Sequence, residues 1–181
     1  MKDDTAAAEL VWEHAAHHIP DAGLSRKRAA EPEELAAVAR ALDLVACSSL
    51  QAEYTITPSV QGRYHVFGTL RAEVGQACGV TLEPITSTIE QRFDVSFWPA
   101  DDMPAPVSGE MSLDDEIDPE PIVAGQIAVG RVVFECLAAA IDPFPRQPDA
   151  TLDRTSTAPE GGSDGKPESP FAVLAKIRPK R

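Results

Sequence analysis

The chain has 181 residues, 43% of them hydrophobic and 25% charged, which suits one domain with a real core plus tails and leaves too little for two full domains. Its net charge of -13 excludes a protein whose whole surface grips nucleic acid, and no segment nears the roughly 20 apolar residues of a membrane-spanning helix. Three widely spaced cysteines, Cys47, Cys78 and Cys136, are no disulfide framework, and the opening MKDDTAAAEL, with two acids and no long apolar run, is no signal peptide, so a cytoplasmic address is expected.

Along the chain, ELVWEHAAHHIP (residues 9–20) predicts an extended opening segment that ends at Pro20. DAGLSRKRAA then reads as a loop carrying the basic triplet Arg26, Lys27 and Arg28. In EPEELAAVARALDL the period changes: Leu35, Val38, Leu42 and Val45 recur every three to four residues, one face of a helix. Pro32 suits its first position, and Glu33 and Glu34 suit the positive end of its dipole. The period then drops to two. Leu50, Ala52, Tyr54 and Ile56 alternate with Gln51, Glu53, Thr55 and Thr57 in a half-buried strand, and Pro58 to Gly62 make a turn. Alternation resumes with Tyr64, Val66, Leu70, Ala72 and Val74 on one face, and again with Ile85, Ile89, Phe93, Val95 and Phe97. Three such runs predict an antiparallel meander with one wet face.

Between Pro99 and Pro121 there are eight acids, five prolines and no Lys or Arg, the composition of a solvated loop. A second helix is expected from Val129 to Ile141, with Val132, Val133, Cys136, Leu137 and Ala140 as its stripe and Asp142-Pro143 as its stop. TSTAPEGGSDGKPES reads as a disordered linker within residues 151–169, and FAVLAKIRPKR as an amphipathic tail, 170–181, whose cations are Lys176, Arg178, Lys180 and Arg181. The expected fold class is α+β: an antiparallel sheet of three or more strands against two helices, within residues 1–150.

Four segments, EPEELAAVARALDL, RAEVGQACGVTLEP, LAAAIDPFPRQPD and PFAVLAK, taken together resemble the YceD family, and most closely its alphaproteobacterial branch, in which the cysteine motif reads much like QxCxVTLEP. The resemblance covers most of the chain in the expected order. It implies a small cytoplasmic bacterial protein needed for accumulation of 23S ribosomal RNA, with no established catalytic residue. Carried over as motif and partner-binding candidates are Gln76, Cys78, Thr81, Leu82, Glu83 and Pro84, then Asp142, Pro143, Pro145 and Arg146. One departure stands out. Many members outside that branch have a second cysteine three residues after the first, and Thr81 occupies that position here, so a Cys-x-x-Cys metal half-site is absent.

For Cys78 itself, nucleophilic chemistry needs a base within reach and a lowered thiol pKa, and His65 is the only histidine in the predicted sheet. A packed residue at a strand-to-strand turn, with Gly79 giving backbone freedom, is the simpler reading. EHAAHH, with Glu13, His14, His17 and His18, lacks the H-E-x-x-H order of a zinc helix and reads as a solvated cluster. No nucleotide-binding or hydrolase fingerprint occurs, and no cofactor or metal is expected. On the wet face Arg63, His65, Phe67, Arg71 and Arg92 would project together, an aromatic among cations as in RNA-binding sheets. Glu53, Glu73, Glu90 and Asp94 share that face as ion-pair partners and weigh towards an ordinary charge-paired surface.

The expected function is a non-enzymatic factor supporting synthesis, processing or stability of large-subunit ribosomal RNA. It would contact that RNA or a pre-ribosomal particle, directly or through a basic ribosomal protein, with no membrane or DNA partner. The RNA-facing candidates are Arg63, Phe67, Arg71 and Arg92 with the tail cations Lys176, Arg178, Lys180 and Arg181. Two alternatives stand beside it: a protein-binding adaptor that uses the acidic loop, and a thiol-dependent enzyme.

Overall fold

A computed structural model describes residues 10–103 and 119–151, which belong to the compact unit Met1–Ala150 apart from the last of them. The basic tail, the linker from residue 152 onward and the acidic stretch 104–118 lie outside the described residues. The elements in chain order are β1 (Glu13–Ala15), β2 (Leu24–Ala29), α1 (Pro32–Ala41), β3 (Ala46–Pro58), β4 (Tyr64–Ala77), β5 (Pro84–Pro99), β6 (Glu120–Ile122), β7 (Gln126–Ala128) and α2 (Val129–Ala140). The fold is α+β, as expected. Five strands form one sheet in the order β2-β3-β4-β5-β6, and β1 pairs with β7 in a separate two-stranded ladder.

The meander is β3-β4-β5. Its central register runs unbroken from Tyr64 opposite Phe97 to Ala77 opposite Pro84, and the period-two alternation of both strands, interrupted on the apolar face by Gly68, Ser87 and Gln91, fixes which face is buried. Leu50, Ala52, Tyr54 and Ile56 of β3, Val66, Leu70, Ala72 and Val74 of β4, and Phe93 and Phe97 of β5 are buried on one face. Val38 of α1 and Val132, Val133 and Leu137 of α2 join the same core, so both helices cover that face and leave the other to solvent. Burial of a side chain of this size stabilises by about 1.5–3 kcal/mol, which makes the face, rather than any single polar contact, the source of the fold's stability. Trp12 is also fully buried, and its indole N–H donates to Glu34 of α1 at 3.2 Å.

Five expectations need correction. The opening segment is not extended as far as Pro20: strand β1 covers only Glu13–Ala15, and Ala16–His18 close a single 3-10 turn through the Ile19 N–H to the Ala16 carbonyl. The segment around Arg26, Lys27 and Arg28 is not a loop but strand β2, paired antiparallel with β3. An edge strand whose residues from Ser25 to Ala29 are all exposed has no apolar alternation to betray it. Val45 does not continue the helical face. Asp43 takes a left-handed φ of 51°, the Leu44 N–H donates back to the Ala39 carbonyl at 2.8 Å, and α1 ends in that wrap, leaving Val45 61% exposed. The acidic loop is shorter at its far end than composition suggests, since Glu120 and Pro121 belong to β6, which pairs parallel with β5. His14 is not solvated: its Nε2 bonds the Tyr54 hydroxyl at 2.7 Å, and burial first, then Arg26 and Arg28, lower its pKa. His17 and His18 are exposed beside each other.

Candidate functional site: the motif lobe and the open sheet face

β4 and β5 meet at a hairpin tip formed by residues 78–83. Its backbone closes through the Cys78 N–H to the Glu83 carbonyl at 2.8 Å and the Leu82 N–H to the Cys78 carbonyl at 2.9 Å. The strained position is Leu82, with φ 62°, whereas Gly79 has no positive φ and a Cβ there would make only ordinary contact with Pro145. Backbone freedom is therefore not what Gly79 supplies. Its N–H donates to the Pro145 carbonyl at 2.9 Å.

That bond is one of several that tie the tip to the segment after α2. The Gln76 side-chain amide donates to the Asp142 carbonyl at 2.8 Å, and the Gln147 amide donates to the Glu83 carboxylate at 3.1 Å. Asp142 in turn accepts the Phe144 N–H at 2.8 Å and shapes the turn through Pro143. Residues 76–84 and 142–147, far apart in sequence, thus make one lobe. Gln147 was not singled out from the sequence, although it directly follows Arg146. Arg146 is exposed and makes no ion pair among the described residues. Leu82 and Phe144, one on each segment, are 78% and 76% exposed. Sequence reading gave Phe144 no role.

Cys78 is completely buried at the base of this lobe. Its Sγ accepts N–H bonds from Thr81 at 3.4 Å and Val80 at 3.5 Å. The Thr81 hydroxyl first, then backbone N–H groups of Thr81, Gln147 and Val80, pull its pKa down to about 6. The Thr81 hydroxyl also accepts the Glu83 N–H at 3.4 Å, so this side chain links the sulfur to the turn's closing residue. His65 stands near the far end of β4, roughly 40 Å along the strand, out of reach as a base for this sulfur. Donors surround the buried sulfur and favour its thiolate, while burial opposes it. Burial raises the Cys47 and Cys136 thiols. Among the described residues no group of three His, Cys, Asp or Glu side chains could hold a metal ion.

The open face of the sheet gathers the other candidates. Phe67 is 42% exposed, with the His65 ring 5.5 Å away. Arg71 pairs with Glu90 at 3.2 Å, His65 with Asp94, and Lys27 with Glu53. Arg63 lies over the Trp98 ring at 3.7 Å, with its Nε shielded and without a hydrogen-bond partner among the described residues. Arg92 is exposed and is not ion-paired among the described residues. Most of the charge on this face is thus internally matched. The tail candidates Lys176, Arg178, Lys180 and Arg181 lie outside the described residues.

No protein-family model matches the chain, and no curated protein or solved structure matches it. The functional reading rests on the motif segments and on the geometry of the lobe they form.

Proposed function

We propose that this protein is a non-enzymatic factor of large ribosomal subunit biogenesis, which supports synthesis, processing or stability of 23S ribosomal RNA. The pathway comes from the resemblance to the YceD family. The observation that carries the mode of action is the meeting of the two motif segments: Gln76, Gly79 and Glu83 interlock with Asp142, Pro145 and Gln147, and the joined lobe holds Leu82 and Phe144 out to solvent. A hydrogen-bonded lobe that exposes large apolar side chains and buries its thiol has the character of a recognition surface rather than of a catalytic cleft. Its target would be the nascent large subunit, through RNA or through a basic ribosomal protein that an acidic chain attracts.

Sedimentation of tagged protein from a cell lysate through sucrose gradients at low and high salt tests this reading. The wild type is expected to comigrate with large-subunit precursors, more at low salt, and Leu82→Asp/Phe144→Asp to move to the top fractions. Both side chains are exposed, so the double variant leaves the core intact. Wild-type protein that stays at the top at both salts would rule out stable association.

A further inference from the structure

The basic triplet Arg26-Lys27-Arg28 takes no part in the motif lobe. It lies on β2, the last strand at one end of the sheet, so one flank of β2 pairs with β3 and the other meets no strand among the described residues. Just past β2, the Ala30 N–H donates to the Leu50 carbonyl at 2.8 Å. The alternation of an antiparallel ladder then turns Arg26 and Arg28 backbone groups towards β3, and those of Ser25, Lys27 and Ala29 outwards. Three N–H and three C=O groups line this edge, a template for another strand, with the Ser25 carbonyl accepting from the Arg26 guanidinium at 3.1 Å until a strand displaces it.

The side chains add a second, independent feature. Lys27 pairs with Glu53 on the open face, whereas Arg26 and Arg28 stand opposite Tyr54 and Ala52 on the other side. Both arginines are exposed and neither is ion-paired among the described residues; Arg28 lies over the Trp12 ring at 5.8 Å, and Arg26 bonds the backbone carbonyl beside it, so each keeps its charge unmatched. Burial first, and then the charge of these two arginines, opposes protonation of His14. Two residues along a strand are about 7 Å apart, the same repeat as alternate side chains of an added strand. We propose that β2 is a docking edge for an extended acidic segment of a partner protein, which adds as a further strand and sets alternate carboxylates against Arg26 and Arg28.

Other occupants fit less well. Two copies of this chain joined edge to edge through β2 would bring two basic triplets together, a like-charge contact that opposes pairing. Phosphate oxygens of RNA would accept from the outward N–H groups and the arginines, but the 2′-hydroxyl and base donors of RNA do not repeat at the spacing of the outward carbonyls. A peptide satisfies both. This inference is independent of the ribosomal reading, and either can fail alone.

The test is fluorescence anisotropy of a labelled octapeptide alternating Glu with Thr, titrated with the full-length protein. Saturable binding is expected, weakened at least about tenfold by Arg26→Glu/Arg28→Glu. The same peptide with alternate backbone amides N-methylated, which keeps the charge and removes the strand-forming donors, is expected not to bind. Because that comparison uses wild-type protein, it stands whether or not the double variant folds. The unmodified peptide should also protect the Ser25, Lys27 and Ala29 amides from hydrogen exchange. Absence of peptide binding, or equal binding of the N-methylated peptide, overturns the proposal. So does displacement of the peptide by oligouridylate at lower concentration than the peptide itself requires, which would assign the edge to RNA.

Discussion

At the scale of single residues, Cys78 and Thr81 form a pair whose meaning depends on their surroundings. In the sequence, Thr81 is the residue that keeps Cys78 from being half of a Cys-x-x-Cys metal site. In the structure its hydroxyl and N–H hold the Cys78 sulfur, so the position supplies a partner for the cysteine without a metal. The folded pKa of about 6 lies below the unfolded value of about 8.5. Folding is therefore favoured by the thiolate: the contribution is complete above about pH 8.5, fades as pH falls, and is gone below about 6. Wild type should gain stability between pH 6 and 9 relative to Cys78→Ser, read as urea midpoints at each pH. Parallel profiles for the two proteins would show that the sulfur does not ionise in the fold. In native protein Cys78 should also resist thiol reagents until unfolding, because it is sealed.

At the scale of elements, the helices and the long strands are legible because each has a face on which apolar residues recur with one period over most of its length. α1 declares its start with Pro32, and the Glu34 carboxylate accepts the Glu31 N–H at 2.8 Å. Its end was less legible, since the left-handed cap position is occupied by Asp43 rather than glycine. Replacing that residue by glycine removes the Cβ penalty where the backbone is already left-handed. Asp43→Gly is expected to stabilise the protein by about 0.5–1 kcal/mol in urea unfolding, and a loss of stability would assign the aspartate side chain a role of its own. The β2 edge was misread for the opposite reason: a strand with no buried residue carries no hydrophobic signal. The glycines that matter were also silent. A Cβ on Gly130 would collide with the Leu10 carbonyl oxygen, and one on Gly68 would fall 2.7 Å from the Tyr54 Cβ, so both permit close packing of chains far apart in sequence.

At the scale of the whole molecule, one residue joins the layers. Trp12 sits under α1 through its bond to Glu34, and its carbonyl accepts the Gly130 N–H at the start of α2 at 3.1 Å. Trp12→Ala should cost about 3–5 kcal/mol by emptying that junction, whereas Trp12→Phe, which keeps most of the packing, should cost nearer 1 kcal/mol for the lost donor. Equal losses in thermal or urea unfolding would mean that the hydrogen bond, not the packing, holds the layers together. Nothing in the local pattern of ELVWEHAAHHIP announces this role, because a tryptophan between short mixed segments reads alike whether buried or exposed.

The sequence by itself determined the fold class, the two helices, the three-stranded meander and which face of it is apolar. These follow from local periodicity, and a one-residue slip would turn every core side chain to water. Only the tertiary structure decided that Gln76 and Gly79 meet Asp142 and Pro145, that Cys78 is enclosed by donors from both segments, and that the basic triplet lies on the last strand of the sheet among the described residues. Each of these depends on which segments distant in the chain the fold brings together. Much of the contact, such as the Gly79 N–H to the Pro145 carbonyl and the β2–β3 ladder, runs through backbone groups that almost any residue type offers, and so leaves little trace in residue identity.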